Sequence, residues 1–366
     1  MQNTASVPTD SFADLLKRLP ADIDLDRLAR ETKAIQRKRN LADGASLLRL
    51  ALMRGPGGLS LRETSGWASL MDVATLTNPG VNYRMKRAVG FLTALLERLL
   101  AAKVPGANTC WPGRVVRLAD STSISEPGGK TTAWRVHGVF DLGAGGFSHL
   151  ELTDKHGAEA LERGAPLTGE IRLGDRNYAR GPALHRFLAA GDGKVDYIAR
   201  VGWNALRLTR ADGQRFDLID HLKSLPVDTI PHEVAVSAAA GAGKPPLAAR
   251  LIILRKTPEA TEAARAALRR EAVKRGRQLD PRSLVAAEFM LLITSLPAQG
   301  YAAADILAVY RLRWQIELAF KRLKSLLHID KLPTHTEAGS RSWLTAHLIL
   351  ALLCDDLSQE FLESFP

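Results

Sequence analysis

Cysteine is almost absent from this chain of 366 residues. The two cysteines, Cys110 and Cys354, are far apart in the sequence, and neither belongs to a closely spaced group. A small secreted scaffold needs several disulfides, and a structural zinc site normally uses closely spaced Cys and His ligands. Both classes of protein are therefore excluded.

The sequence also lacks a long apolar segment. Its most apolar run covers residues 343–354, whereas a helix that spans a bilayer needs about 20 residues. The N-terminus has no basic region followed by an apolar stretch, as a secretory signal peptide would have. We therefore expect a cytoplasmic protein that has no membrane partner.

Acidic residues are in the minority. The 39 Asp and Glu are outnumbered by 50 Lys and Arg, which gives a formal net charge of +11 and a pI near 9.8. Such a surplus is typical of proteins that bind a polyanion, with nucleic acid as the first candidate. A basic but otherwise ordinary enzyme has the same balance, so charge alone leaves both interpretations open.

The hydrophobic periodicity of residues 1–105 predicts an all-helical N-terminal domain. A short helix, a break and a longer helix within it resemble a helix-turn-helix arrangement. Arg84, Lys86 and Arg87 lie in the first half of that longer helix and are candidate DNA-binding residues. Ordinary packing of two helices is an equally good explanation of the pattern.

Beyond a linker that ends near residue 112, short strands alternate with helices. A short apolar run followed by two alternating runs predicts an antiparallel meander, and later runs predict further strands and helices. The predicted strands are 114–119, 134–140, 147–153, 171–174, 195–201 and 288–294, with β structure at 203–256 that includes a strand at 216–218. The predicted helices are a short segment at 158–163, a helix at 182–190, a basic helix at 258–278, and a C-terminal helix at 343–361.

Two aspartates share a position in this pattern, because Asp120 and Asp175 each follow a short apolar strand. A third acid, Glu317, lies on a segment at 301–328 that is predicted to form one amphipathic helix. Its predicted buried face carries Leu312, Ile316, Phe320, Leu323 and Leu327. At 100° per residue, Glu317 lies within about 60° of Tyr310, Arg313 and Lys324. This face would place one carboxylate beside two cations and a phenol.

Three carboxylates brought together by strand ends and a packed helix would repel one another unless a cation compensates. Mg²⁺ is the natural counter-ion, since it prefers hard oxygen ligands and accepts phosphate oxygens as well. Two such ions about 3.5–4 Å apart activate a nucleophilic oxygen and stabilise the leaving oxygen. Each aspartate alone is weak support, because Asp is common in turns.

The spacing Tyr310-x2-Arg313-x3-Glu317-x6-Lys324 resembles the Tyr-Arg-Glu-Lys signature of bacterial insertion-sequence transposases of the DDE type, in the branch called family four. Asp120-Ser-Thr-Ser resembles the first acidic motif of that family. The run from Asp175 to Tyr178, an Asp followed three residues later by an aromatic, resembles the second.

The resemblance implies an α/β fold with a ribonuclease-H-like catalytic core and a β-rich insertion. The core would comprise residues 112–202 and 285–335, and the insertion residues 203–284, including the basic helix. The all-helical domain at 1–105 would precede the core, and a C-terminal helix at 336–366 would follow it.

The resemblance also implies an activity. Asp120, Asp175 and Glu317 would be catalytic residues that hold Mg²⁺, with Mn²⁺ as a substitute, while Tyr310, Arg313 and Lys324 would bind DNA phosphates. The protein would cut double-stranded DNA at transposon ends and join the 3′-hydroxyl to target DNA. It would act as a homodimer in the bacterial nucleoid.

Two alternatives remain at this stage: a ribonuclease-H-like nuclease without strand transfer, and a DNA-binding derivative without catalysis. A glycosidase with paired carboxylates would leave the basic surface and the cations beside Glu317 unexplained.

Overall fold

The computed structural model describes residues 11–37, 40–106 and 111–364, with only the backbone described for Ser11 and for residues 355–364. Cys110 and part of the predicted linker lie outside the described residues, as do the outermost residues of the first and last predicted domains. None of the helices in the described part of the chain is both long and apolar enough to cross a membrane.

Residues 11–101 fold into helices, as predicted. Polar side chains begin several of them; for example, Asp43 accepts a hydrogen bond from the Ser46 N–H at 2.7 Å at the start of the third helix. The six helices are α1 Ser11–Leu16, α2 Leu25–Glu31, α3 Gly44–Arg54, α4 Leu61–Leu70, α5 Asn78–Arg87 and α6 Val89–Ala101.

The longer helix predicted after α4 is in fact two helices. The Ala88 N–H bonds to the carbonyls of both Arg84 and Met85, at 2.9 and 3.2 Å. This tightens the backbone between α5 and α6. Arg84, Lys86 and Arg87 consequently lie in the last turn of a short helix.

The remainder of the chain contains nine strands and seven further helices within the described residues. The strands are β1 Val115–Ser125, β2 Thr132–Asp141, β3 Gly146–Asp154, β4 Glu170–Gly174, β5 Asp196–Arg200, β6 Leu208–Thr209, β7 His232–Ala238, β8 Leu247–Arg255 and β9 Phe289–Thr294. The helices are α7 Gly181–Ala190, α8 Leu218–Ser224, α9 Pro258–Lys274, α10 Pro281–Ala286, α11 Ala303–Arg311, α12 Trp314–Ser325 and α13 Glu337–Ser364.

All nine strands form one mixed sheet in the order β3-β2-β1-β4-β5-β9-β8-β7-β6. The predicted meander is present, because β1, β2 and β3 pair antiparallel. The helix predicted at 158–163 is wrong, since the chain between β3 and β4 forms turns instead. The pairs β1–β4 and β4–β5 are parallel. The fold is therefore a mixed α/β arrangement built around a large sheet.

Alternate residues of the central strands enter two hydrophobic cores, one on each face of the sheet. The first core contains Leu118, Leu173 and Ile198, together with the N-terminal helices and α11, α12 and α13. The second core contains Ala119 and Ala199, together with α7 and α8. Helices thus cover both faces of the sheet.

The region predicted as a β-rich insertion contributes β6, β7 and β8 to this same sheet, through pairing of β8 with β9. The strand predicted at 216–218 is wrong, since Asp217 instead accepts hydrogen bonds from the N–H groups of Ile219 and Asp220 and begins α8. The basic helix predicted at 258–278 is α9, in which Thr261 is the buried residue. This fits a solvated helix.

The single helix predicted at 301–328 is also wrong, because α11 ends at Arg311 and α12 begins at Trp314. Between them the N–H groups of Leu312 and Arg313 bond three residues back, to Val309 and Tyr310, at 2.9 and 3.1 Å. Bonds of this type tighten the turn and change the direction of the chain.

Candidate active site

Two aspartates lie at one edge of the sheet. Leu118 of β1 pairs with Leu173 of β4 at the last position of their parallel ladder. Asp120 and Asp175 each follow two residues later, so they occupy matching positions. Residues two apart in a strand point to the same face, and both leucines belong to the first core. The aspartates therefore lie on the face that α12 covers.

The prediction that Asp120 follows the end of its strand is wrong. Strand β1 continues to Ser125 because it pairs with β2, where Asp120 lies opposite Gly138. Only the parallel pairing with β4 stops before Asp120. Asp175 follows the end of β4 as predicted.

Helix α12 brings Arg313 and Glu317 to Asp120, with Ile316 and Phe320 buried beneath. The Arg313 Nη1 atom lies 3.6 Å from Asp120 Oδ2, and its Nη2 atom hydrogen-bonds to Glu317 Oε1. The side chains of Asp120 and Arg313 are each 18% exposed, whereas that of Glu317 is 52% exposed. One guanidinium therefore bridges an inner and an outer carboxylate.

The Asp120 carboxyl has an unusual pKa. Burial raises its pKa to about 6; the Ser121 N–H, which donates at 2.8 Å, and the Arg313 guanidinium act to lower it. The charges of Asp175 and Glu317 also contribute to this raised pKa. Both other predicted acids therefore act electrostatically on Asp120.

These carboxylate oxygens are the donors that a hard divalent cation such as Mg²⁺ prefers. Within the residues that the structure describes, no three acidic, His or Cys side chains are already close enough to hold a metal ion together. Arg313 instead neutralises two of the three acids, Asp120 and Glu317. The chemistry of the donor set fits a divalent cation, and Asp120 and Glu317 lie at an open cleft.

That cleft has a volume of about 490 Å³ and is lined by Asp120 and Glu317. Lys324, predicted on the same helix face, lines it as well. So does Lys321, which the sequence pattern did not single out. A cleft lined by both carboxylates and lysines suits a phosphodiester that is bound together with a metal ion.

Tyr310 lies on α11 and is buried. Its hydroxyl donates a long hydrogen bond of 3.4 Å to the Gly174 carbonyl, next to Asp175. Burial raises the pKa of Tyr310 to about 12, so the phenol is neutral at physiological pH. Asp175 is oriented from the other side by the Asn177 N–H, which donates to its Oδ1 at 2.8 Å. Tyr310 thus supports the Asp175 turn.

Gly138 is a site residue that the sequence analysis missed. A Cβ atom at this position would lie 2.7 Å from the ring of Phe147 and 2.8 Å from the ring of Phe320. Because Gly138 pairs with Asp120, its missing side chain lets Phe320 and α12 approach the sheet beside that aspartate. No sequence motif marks the position.

The three N-terminal cations lie away from this edge, on α5. Lys86 is exposed, and Arg84 is half-buried. Arg87 donates to the Lys33 carbonyl at 3.0 Å and lies over the Tyr83 ring. Since α5 packs against α4 and α13, these residues belong to the helical layer, and their contact with DNA stays a prediction.

Comparison with known proteins now identifies the class. Residues 111–353 match the family model described as a transposase DDE domain. The matched segment includes both aspartates and Glu317. The chain therefore belongs to the family of DDE transposases, whose members generally use divalent metal ions.

Individual relatives are transposases of insertion sequences. The chain is 40% identical to the putative transposase InsL of insertion sequence element IS186A from Escherichia coli (strain K12), over 98% of this chain and 96% of the relative. It is also 40% identical to the Escherichia coli transposase of IS421, over the same shares. The predicted class of DNA transposase is confirmed.

A solved structure, the piggyBac transposase synaptic complex with hairpin DNA, aligns with a TM-score of 0.48 at 10% identity, over 95% of this chain and 75% of that one. This likeness is too weak to assign a shared fold.

Proposed function

We propose that this transposase cuts double-stranded DNA at the ends of its own insertion sequence and joins the freed 3′-hydroxyl to target DNA, with Asp120, Asp175 and Glu317 as the metal ligands. The observation that supports this most strongly is the pairing of Leu118 with Leu173. It aligns the two aspartates at one edge, and α12 adds Glu317 above them.

Mg²⁺, or Mn²⁺ in its place, would supply an activated oxygen nucleophile and stabilise the leaving oxygen. The protein supplies position and charge. Arg313 can bind a phosphate through two parallel N–H donors once it leaves the carboxylates, and Lys324 contributes a point charge at the cleft wall. Asp120 must be ionised to bind a cation.

We further propose that Tyr310, Arg313, Glu317 and Lys324 form the Tyr-Arg-Glu-Lys signature of family four. Their distribution over two helices does not conflict with this. Tyr310 supports the turn that begins at Asp175, Arg313 directly precedes α12, and Glu317 and Lys324 lie on α12. Arg313 and Lys324 would bind phosphates near the cleaved bond.

The order of strands and helices along the chain supports a ribonuclease-H-like core in two parts. The meander β1–β3 and the parallel strands β4 and β5 would form the first part, and β9 with α11 and α12 the second. We propose that 203–284 is an insertion whose strands extend the core sheet. Arg84, Lys86 and Arg87 would hold DNA outside the active site, in a homodimer that pairs two ends.

The decisive experiment uses duplex DNA that carries the terminal repeats of the element, with Mg²⁺ or Mn²⁺ present. The wild-type protein should nick the ends and join them to a plasmid. The Glu317→Gln protein should do neither, whereas Glu271→Gln, on the exposed surface of α9, should match the wild type.

Each alternative has its own result. Cleavage without joined product would indicate a nuclease. Binding of the ends with no cleavage by the wild-type protein would indicate a non-catalytic derivative. Equal activity of the Glu317→Gln protein would falsify the assignment of that ligand.

A further inference from the structure

The edge of the sheet that holds the two aspartates continues beyond them. Strand β5 is parallel to β4, and β8 has the same direction because both β5 and β8 pair antiparallel with β9. Their carboxyl ends therefore share one edge with β1 and β4. Arg200 is the last residue of β5, and Lys256 directly follows β8.

The two cations also share the catalytic face. Ile198, two residues before Arg200, belongs to the first core. Ile252 belongs to it as well, and Leu254, two residues before Lys256, packs against it. By the two-residue alternation of strands, Arg200 and Lys256 point to the same face as the aspartates.

Arg176 directly follows Asp175 and interacts electrostatically with both Arg200 and Lys256, so it is the third cation of this group. In the described part of the chain, the side chain of neither Arg176 nor Arg200 makes a hydrogen bond or an ion pair. The Lys256 Nζ donates to the Ala287 carbonyl at 2.7 Å, which satisfies one of its three donors. We name Arg176, Arg200 and Lys256 the edge cations.

The nearby carboxylate of Glu288 does not neutralise them. Its Oε2 atom lies 2.7 Å from Arg255 Nη1, and its Oε1 atom lies 2.5 Å from Arg265 Nη2. Burial, together with the charges of Arg200 and Arg176, lowers the pKa of Lys256 to about 8. The edge cations thus repel one another, a cost that a bound anion would remove.

We propose that the edge cations form a second phosphate-binding subsite, which holds the backbone of one DNA strand as it leaves the catalytic acids. This rests on the proposed function, since it assigns the path of that strand. Neighbouring strands lie about 4.8 Å apart, so the edge extends roughly 14 Å from β4 to β8. That length accommodates several phosphates of one strand.

The test measures the affinity for a short duplex with a terminal repeat at several salt concentrations, by fluorescence anisotropy without divalent metal. Arg200→Gln and Lys256→Gln should each weaken binding roughly tenfold. Each should also reduce the slope of log affinity against log salt by about 1. Lys223→Gln, an exposed residue of α8 on the other face, is the control and should leave the slope unchanged.

A second measurement identifies the DNA phosphates that the edge cations contact. Neutral methylphosphonate linkages are placed one at a time along each strand. The wild-type protein should lose affinity at one or two phosphates beside the cleavage position, and Arg200→Gln should no longer respond to one of them. Arg200→Lys should restore most of the affinity, because it keeps the charge.

The proposal is overturned if folded Arg200→Gln and Lys256→Gln proteins keep the wild-type slope and the wild-type methylphosphonate pattern. Cleavage by the wild-type protein in Mg²⁺ is measured in parallel. If the wild-type protein cleaves but the two variants keep its salt slope, only the subsite is rejected. If the wild-type protein does not cleave, the proposed function is rejected.

Discussion

Arg313 lies 3.6 Å from Asp120 and hydrogen-bonds to Glu317, so a protein cation connects two of the three proposed metal ligands. The same guanidinium is proposed to bind DNA phosphate. A phosphate bound through both Nη groups would compete with these carboxylate contacts, because it would use the same N–H donors. Arg313 should therefore couple the arrival of DNA to the release of the carboxylates.

Removing the Arg313 charge should strengthen metal binding in the absence of DNA. Without the competing cation, Arg313→Gln is expected to bind Mn²⁺ about tenfold more tightly than the wild type, since a carboxylate next to a cation is the poorer metal ligand. Electron paramagnetic resonance of free Mn²⁺ measures this. Arg313→Lys keeps the charge and should resemble the wild type. Weaker or equal binding by Arg313→Gln would show that the arginine does not compete.

Metal binding should weaken as the pH falls through about 6, the pKa of the buried Asp120 carboxyl. The raised pKa means that the folded protein binds this proton more tightly than the unfolded chain. As the pH rises above 3.8, the ordinary pKa of an Asp carboxyl, ionisation of Asp120 therefore destabilises the folded state. Below about pH 6, Mn²⁺ affinity should fall about tenfold per unit, as expected for one competing proton. A pH-independent affinity between about pH 5 and 7 would contradict this assignment.

Parts of the site follow directly from the sequence. The periodic apolar positions of α12 correctly predict that Ile316, Phe320 and Leu323 are buried. They therefore leave Glu317 and Lys324 at the cleft. Asp175 follows a short apolar strand, and the strand ends where predicted. In each case a local pattern is sufficient because one element determines the position.

Other parts depend on contacts between distant segments. No Gly or Pro marks the break between α11 and α12, where the bonds from Leu312 and Arg313 reach only three residues back. The polar residues after Asp120 suggest a turn, but pairing with β2 keeps them in a strand. Propensity is a weak guide where a neighbouring strand supplies the hydrogen bonds.

Glu170, at the start of β4, should be essential for stability. It is fully buried and accepts from Arg117 at 2.9 Å and from Arg172 at 2.5 Å. Glu170→Gln would leave two buried guanidinium groups without a counter-charge, at a cost of about 3–5 kcal/mol in the free energy of unfolding. Denaturant titration measures this. A loss of less than about 1 kcal/mol in the free energy of unfolding would show that Glu170 and its two arginines are not shielded from water.

The matched control changes an exposed ion pair in the same way. Glu271 lies 2.5 Å from Arg275 on α9, with side chains 48% and 60% exposed. Glu271→Gln should change the free energy of unfolding by less than about 0.5 kcal/mol. The difference between the two variants isolates the effect of burial.

A Gly138→Ala substitution tests whether the position of α12 against the sheet determines activity. The Cβ of Gly138→Ala would collide with the rings of Phe147 and Phe320, whose centroids are 5.3 Å apart. Overpacking of this kind costs about 1–3 kcal/mol, so the variant should still fold. Glu317 lies less than one turn before Phe320, and a displacement of about 1 Å can slow a reaction roughly 100-fold. We therefore expect cleavage to fall between about 10- and 100-fold, with DNA affinity nearly unchanged.

Two further variants show whether the loss of cleavage comes from the collision with Phe320. Gly66→Ala adds the same methyl group in α4, where no atom lies within 4 Å of the new Cβ; it should keep full cleavage and gain up to about 1 kcal/mol of stability. Combining Gly138→Ala with Phe320→Leu removes the colliding ring and should recover part of the lost cleavage. If Gly138→Ala folds and cleaves at the wild-type rate, then the close approach of Phe320 does not set the position of Glu317, and α12 must be held by its other contacts with the sheet.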